Sequence, residues 1–122
     1  MFKNRNEPIL SVPSELYDEI GQLGDRVREL RADITRIRGQ YAQLAKSPNS
    51  LRVDELGAPT RPTEAVILTH TALRAADRDL ETVEKAIGWA HGPASRISLT
   101  DAAADHREQQ LASRRPPIER TR

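Results

Sequence analysis

Leu16, Ile20, Leu23, Val27, Leu30, Ile34, Ile37, Tyr41 and Leu44 recur at alternating steps of four and three, without a break. Such a row is one face of a single long helix, and it must be buried against another helix. No other pattern in the chain is as regular. It makes the molecule a helix-on-helix structure before any other residue is considered, and it leaves the purpose of that structure undecided.

A second row follows the same rhythm: Val66, Thr69, Leu73, Ala76, Leu80, Val83, Ile87 and Ala90. Between the two rows, residues 47–62 carry Pro48, Gly57, Pro59 and Pro62 and read as a loop, with one helical turn expected over 51–56 and local packing by Leu51, Val53 and Leu56. The spacing therefore predicts helix A over 15–46 and helix B over 64–91. Ser14 and Thr63 are the expected N-caps, and His91-Gly92-Pro93 the expected stop of helix B. Residues 1–13, with Pro8 and Pro13, read as a flexible arm. A shorter, weakly amphipathic helix C is expected over 99–114, started by Ser98 with Asp101 in capping-box spacing, and 115–122 as a flexible basic tail.

Two helices of about thirty residues, each roughly 45 Å long, suit an antiparallel hairpin. The expected fold is thus all-α, a coiled-coil-like two-helix hairpin with a shorter C-terminal helix, all within 14–114. A two-helix seam shields only part of each stripe. Ala65, Ile67, Ala72, Ala86 and Trp89 also fall off the helix B row. A homodimer completing a four-helix bundle is the favoured way to cover them. A parallel homodimer through helix A ranks second, because it would set Arg26 against Arg31 even as it pairs Asp33 with Arg38.

Composition narrows the function. Of the 122 residues, 37% are apolar and only 3% aromatic, so a thin aliphatic seam fits better than a thick core. Acids and bases nearly cancel, leaving a formal charge of +1, which disfavours coating DNA or lying on anionic lipid. There is no cysteine, hence no disulfide and no thiolate metal site. The longest apolar run, Ala65 to Leu68, is far short of a membrane span, and the N-terminus lacks the apolar stretch of a secretion signal. A cytoplasmic protein that does not enter membranes is expected.

Candidate chemistry is sparse. His70, His91 and His106 have no supporting cluster of ligands, so no metal and no cofactor are expected. The helix A carboxylates alternate with arginines, as on a solvated face laced with ion pairs. No phosphate loop or nucleophile motif occurs, and no catalytic residue is assigned; the chain is not expected to be an enzyme. Trp89, the single tryptophan, is expected to pack at the bundle end, with anchoring of a protein partner as its other role. Arg28, Arg31 and Arg38 on helix A, with Arg114 and Arg115 near the end of the chain, form the one set that could contact nucleic acid. No aromatics interleave with them to stack on bases.

The segment Arg61-Pro-Thr-Glu-Ala-Val-Ile-Leu-Thr-His70, the helix end Tyr41-Ala-Gln-Leu-Ala-Lys-Ser-Pro48 and the Arg- and Ala-rich style resemble small uncharacterised helical proteins of actinobacterial phages and prophages. The resemblance spans about residues 14–95 and carries no catalytic motif. It implies a setting in which small helical proteins act on host proteins or assist assembly. The function expected from residues and resemblance together is a non-catalytic protein–protein interaction or oligomerisation module, acting on a protein partner. The alternative is a small nucleic-acid-binding accessory protein using the arginines.

Overall fold

The structure, a computed structural model, describes residues 8–114. Among them the regular elements are all helical: α1 (Pro13–Leu44), a 3-10 turn (Pro48–Ser50), α2 (Pro62–Ala94) and α3 (Asp101–Arg114). Helices α1 and α2, of 32 and 33 residues, pack along one another as a hairpin. The expectations for residues 1–7 and for the tail 115–122, Arg115 included, lie outside the described residues.

Both long helices start earlier than their expected caps, and for one reason. Pro13 and Pro62 occupy first-turn positions, where the missing N–H costs nothing and φ is already helical. Ser14 and Thr63 therefore lie inside the first turn. Val12 and Arg61 are the N-cap residues, and the Glu64 carboxylate accepts the Arg61 N–H at 3.4 Å. At the far end α2 does not stop at His91-Gly92-Pro93 but runs through it to Ala94. Gly92 has no Cβ to collide with the proline ring, and Pro93 in the last turn forfeits only one intrahelical bond. Ser95 then closes the turn: its N–H donates to the carbonyls of His91 and Gly92 at 3.2 Å, and its hydroxyl to Gly92 at 2.6 Å.

In the connection, the helical turn forms at Pro48–Ser50, not over 51–56. Leu51 and Val53 are half-buried, whereas Leu56 is 94% exposed, its N–H held by Asp54 at 3.1 Å, so it packs on nothing within the chain. Helix α3 begins at Asp101, capped by Thr100, whose hydroxyl accepts the Ala103 N–H at 3.2 Å, in place of the expected Ser98. It is tied to the opposite end of the chain by Arg107, whose Nε donates to the Leu10 carbonyl at 2.9 Å.

The hairpin interior is thin. Ile34 and Val66, at 9% and 8% exposure, are the buried apolar side chains among the described residues. They belong to two facing rows: Ile20, Val27, Ile34 and Tyr41 on α1, and Val66, Leu73, Leu80 and Ile87 on α2. The rest of the expected seam divides. Leu16, Leu23, Leu30 and Leu44 on α1 are between 43% and 48% exposed, as is Val83 on α2 at 43%. Ile37 and Ala76 are half-buried. These residues line the edge of the contact and do not fill it.

Candidate interaction surface

Helical geometry explains the division. At about 100° per residue, the row Leu16, Leu23, Leu30, Ile37, Leu44 lies about 60° to one side of the buried α1 row. The row Tyr17, Gly24, Arg31, Arg38 lies about 40° to the other side. On α2 the corresponding side rows are Thr69, Ala76, Val83, Ala90 and His70, Asp77, Glu84, His91. Which rows share a flank is decided by contacts across the hairpin.

Those contacts are polar and specific. The Tyr17 and His91 rings stack, 4.0 Å between centroids and 7° from parallel. Arg31 donates from Nε to Asp77 at 3.0 Å and from a terminal nitrogen to Glu84 at 3.3 Å. Arg38 stands near enough for its charge to act on Asp77, and its Nε is buried without a hydrogen-bond partner. Between these rungs Gly24 is buried, and a Cβ there would lie 3.7 Å from the Ile87 side chain, at ordinary van der Waals distance. The polar rows thus close one flank of the hairpin as a ladder. The hydrogen bond from Arg31 holds the Asp77 carboxyl below its ordinary value of 3.8, against burial, which pushes it up; the charges of Arg31 and Arg38 add to the lowering. Arg31 is in turn held more firmly protonated, chiefly by the bond to Asp77.

With the polar rows on one flank, the leucine row of α1 and the Thr69-to-Ala90 row of α2 share the other. This second flank is a mainly apolar strip, bordered on α1 by Glu19, Arg26, Asp33 and Gln40, and α2 extends it. Turning further outward come Ala65, Ala72, Asp79 and Ala86, then Leu68, Ala75, Thr82 and Trp89. Trp89 is 75% exposed and Leu68 65%, so Trp89 does not pack at a bundle end within the chain. The charges of α2 are segregated accordingly. Arg74, Arg78, Glu81 and Lys85 lie on the ladder side, Lys85 pairing with Glu81 at 3.5 Å, and Asp79 stands alone on the apolar side.

The arginine set is dispersed. Arg31 is committed to the ladder and Arg38 is half-buried beside it. Arg28 is exposed and paired with Asp25 on its own helix. Arg114, which also takes part in an interaction, sits at the end of α3. The histidines are likewise scattered, and no group of three or more potential metal ligands occurs among the described residues. No helix among them is long and apolar enough to cross a membrane.

Among the described residues, two clefts in the surface stand out. One, of about 310 Å³, lies where Val12, Pro13 and Ser14 meet Ile97, Leu99 and α3. The other, of about 150 Å³, sits between the C-terminal end of α1 and the N-terminal end of α2, around Tyr41, Ala45, Val66 and His70. Arg107 borders the first, but its guanidinium is taken up by Leu10 and, at 4.0 Å, by Glu108. Comparison of the chain with protein families, curated proteins and solved structures returned no match.

The ladder has a sequence signal that the seam alone conceals. Arg31, Arg38, Asp77, Glu84 and His91 each follow a seam residue by four, and Tyr17 precedes Ile20 by three, so the ladder forms a second heptad row beside the first. On α1 that row carries Arg31 and Arg38; on α2 it carries Asp77 and Glu84. Heptad rows of opposite sign, one on each arm of a hairpin, mark the flank that closes on itself.

Proposed function

We propose that this protein is a non-catalytic helical interaction module, which works by presenting the leucine flank of its hairpin and the alanine-rich face of α2 to another protein surface. One observation carries the reading. Four leucines in heptad register stay between 43% and 48% exposed along a helix whose other flank is fully engaged. A contiguous apolar strip of that length is the signature of an interaction site. Trp89, exposed at its edge, is suited to anchor a partner. The resemblance to phage proteins makes a host protein or an assembly component the partner class, and the cytoplasm the setting.

The reading is tested by affinity capture with the native chain and with a Leu23→Glu, Leu30→Glu double variant. A protein, whether a different one or a further copy of the chain, retained by the native form and released by the variant is the expected result. Identical capture by both forms overturns the proposal. The nucleic-acid alternative ranks second, since Arg31 spends its donors inside the hairpin. Titration with random duplex DNA across a salt series decides it: binding that collapses steeply with salt would favour it, and no binding at low salt eliminates it.

A further inference from the structure

We infer that the apolar flank is the seat of a second copy of this chain, laid on antiparallel, α1 on α1 and α2 on α2, about a two-fold axis that passes Leu30. This deepens the interaction-module reading and rests on it. The first support is the symmetry of the leucine row. Leu16 and Leu23 precede Leu30 by the same steps by which Ile37 and Leu44 follow it. An antiparallel copy centred there sets Leu30 on Leu30, Leu23 on Ile37 and Leu16 on Leu44, and each layer is matched in size.

The second support is charge. The residues just outside the leucine row are Glu19, Arg26, Asp33 and Gln40. In the same register Arg26 of each copy meets Asp33 of the other, twice per dimer, and Glu19 meets the neutral Gln40. Asp33 is exposed and only loosely engaged within its own helix, 4.0 Å from Arg36. The other face-to-face arrangement lays α1 on α2 of the second copy. It brings Asp33 to within about 3 Å, along the helix axis, of the level of Asp79. Charge therefore selects α1 on α1.

The third support comes from α2, which the α1 register did not use. Arg31 lies between Asp77 and Glu84 across the hairpin, and Gly24 opposite Ile87, so the level of Leu30 is about that of Glu81. The outer face of α2 is paired about a level roughly 3 Å from that one: Ala76 and Val83, Ala72 and Ala86, Thr69 and Ala90. The small side chains permit close approach of two α2 helices. Leu68 and Trp89, the large exposed pair, have their midpoint about 4 Å from the level of Leu30, within reach of a tryptophan side chain, so each tryptophan approaches Leu68 of the other copy. Asp79 opposes the fit, and Glu29 at the outer edge of α1 does so more weakly, because each meets its own copy beside the axis.

The size is adequate. The face is about 45 Å long and two helices, about 20 Å, wide, roughly 900 Å². A specific interface uses about 800 Å² per partner.

The lack of cysteine makes the test clean, since a single introduced thiol can bridge only between copies. Light scattering of the full chain is expected to give a dimer. On mild oxidation Leu30→Cys is expected to cross-link to itself, whereas Leu16→Cys and Leu44→Cys cross-link only when mixed. Independently, Arg26→Asp is expected to weaken the dimer about tenfold, two exposed pairs turning repulsive; adding Asp33→Arg restores it, and Asp79→Asn tightens it. Both charge changes are on exposed positions that the hairpin does not need for folding. A monomer at all concentrations overturns the proposal, while face-dependent capture of a different protein would leave the interaction module standing. Self-linking of Leu16→Cys in preference to the mixture, or failure of the charge swap to restore association, overturns the register and with it the proposal.

Discussion

The two flanks of the hairpin are made by the same two helices, at the same spacing, and are finished in opposite ways. On one, Arg31 reaches Asp77 and Glu84, and Tyr17 covers His91, so side chains cross the groove and seal it. On the other, leucines of α1 face a row of threonine, alanine and valine too short to cover them. Polar reach fixes how the arms of the hairpin align, because each ion pair is satisfied in one register only. Apolar reach leaves surface over, and that surplus is what a partner can take up. One flank is closed by side chains that cross it, and the other leaves apolar surface exposed.

The largest effect that would break this contrast is in the shared interior. Ile34→Ala is expected to cost about 3 kcal/mol, through lost burial and the cavity left behind. Leu30→Ala, one turn away on the apolar flank, is expected to cost well under half as much in dilute protein. Urea unfolding at two protein concentrations checks both: the loss at Leu30 should grow with concentration, where copies associate, and the loss at Ile34 should not. Equal and concentration-independent losses would erase the distinction between core and flank.

The next effect concerns the ladder. Arg31→Leu takes away the cation that bonds both Asp77 and Glu84, two helical turns apart, so the urea midpoint should fall at pH 7. Replacing all three by leucine should recover the midpoint while loosening the choice of register, read as exchange-broadened amide spectra. The pH dependence has a definite sign. Asp77 is depressed in the folded chain and ordinary at 3.8 in the unfolded one. Its contribution is therefore complete above 3.8 and is lost as pH falls through the folded value. Midpoints followed from about pH 5 to about pH 2 should drop less for Asp77→Asn than for the native chain.

The smallest effect sharpens the comparison on the helix backbone. A Cβ at Gly39 meets nothing within 4 Å, so Gly39→Ala should raise stability by about 0.5–1 kcal/mol, measured by thermal unfolding. Gly24→Ala gains the same propensity and adds a buried methyl in ordinary contact with Ile87, 3.7 Å away, so its gain should be at least as large.

The long helices are legible in the sequence because a heptad row states both their existence and their length. Their first residues are less so. Ser14 and Thr63 look like caps, yet the proline before each is compatible with the first helical turn and extends it. The stop of α2 is misread for a related reason, since Gly92 relieves the clash by which Pro93 would otherwise end the helix. The azimuth of the contact is the deeper gap. Hydrophobicity locates the centre of a stripe, at Ile20, Val27 and Ile34, but not which edge closes. That is decided by Arg31, Asp77 and Glu84, whose pairing across 46 and 53 residues of chain no local pattern displays. Trp89 shows the complementary limit: a lone aromatic at a helix end is compatible with packing inward, and only the placement of its neighbours turns it outward.

The hydrogen bond from Arg107 to the Leu10 carbonyl joins the two ends of the described chain at the same end of the rod. Anything spliced before α1 thus emerges on that side, away from the connection between the long arms. A version stitched shut between these points and re-opened within 54–58, where Leu56 stands clear of the body, should keep both flanks while moving its termini to the opposite pole.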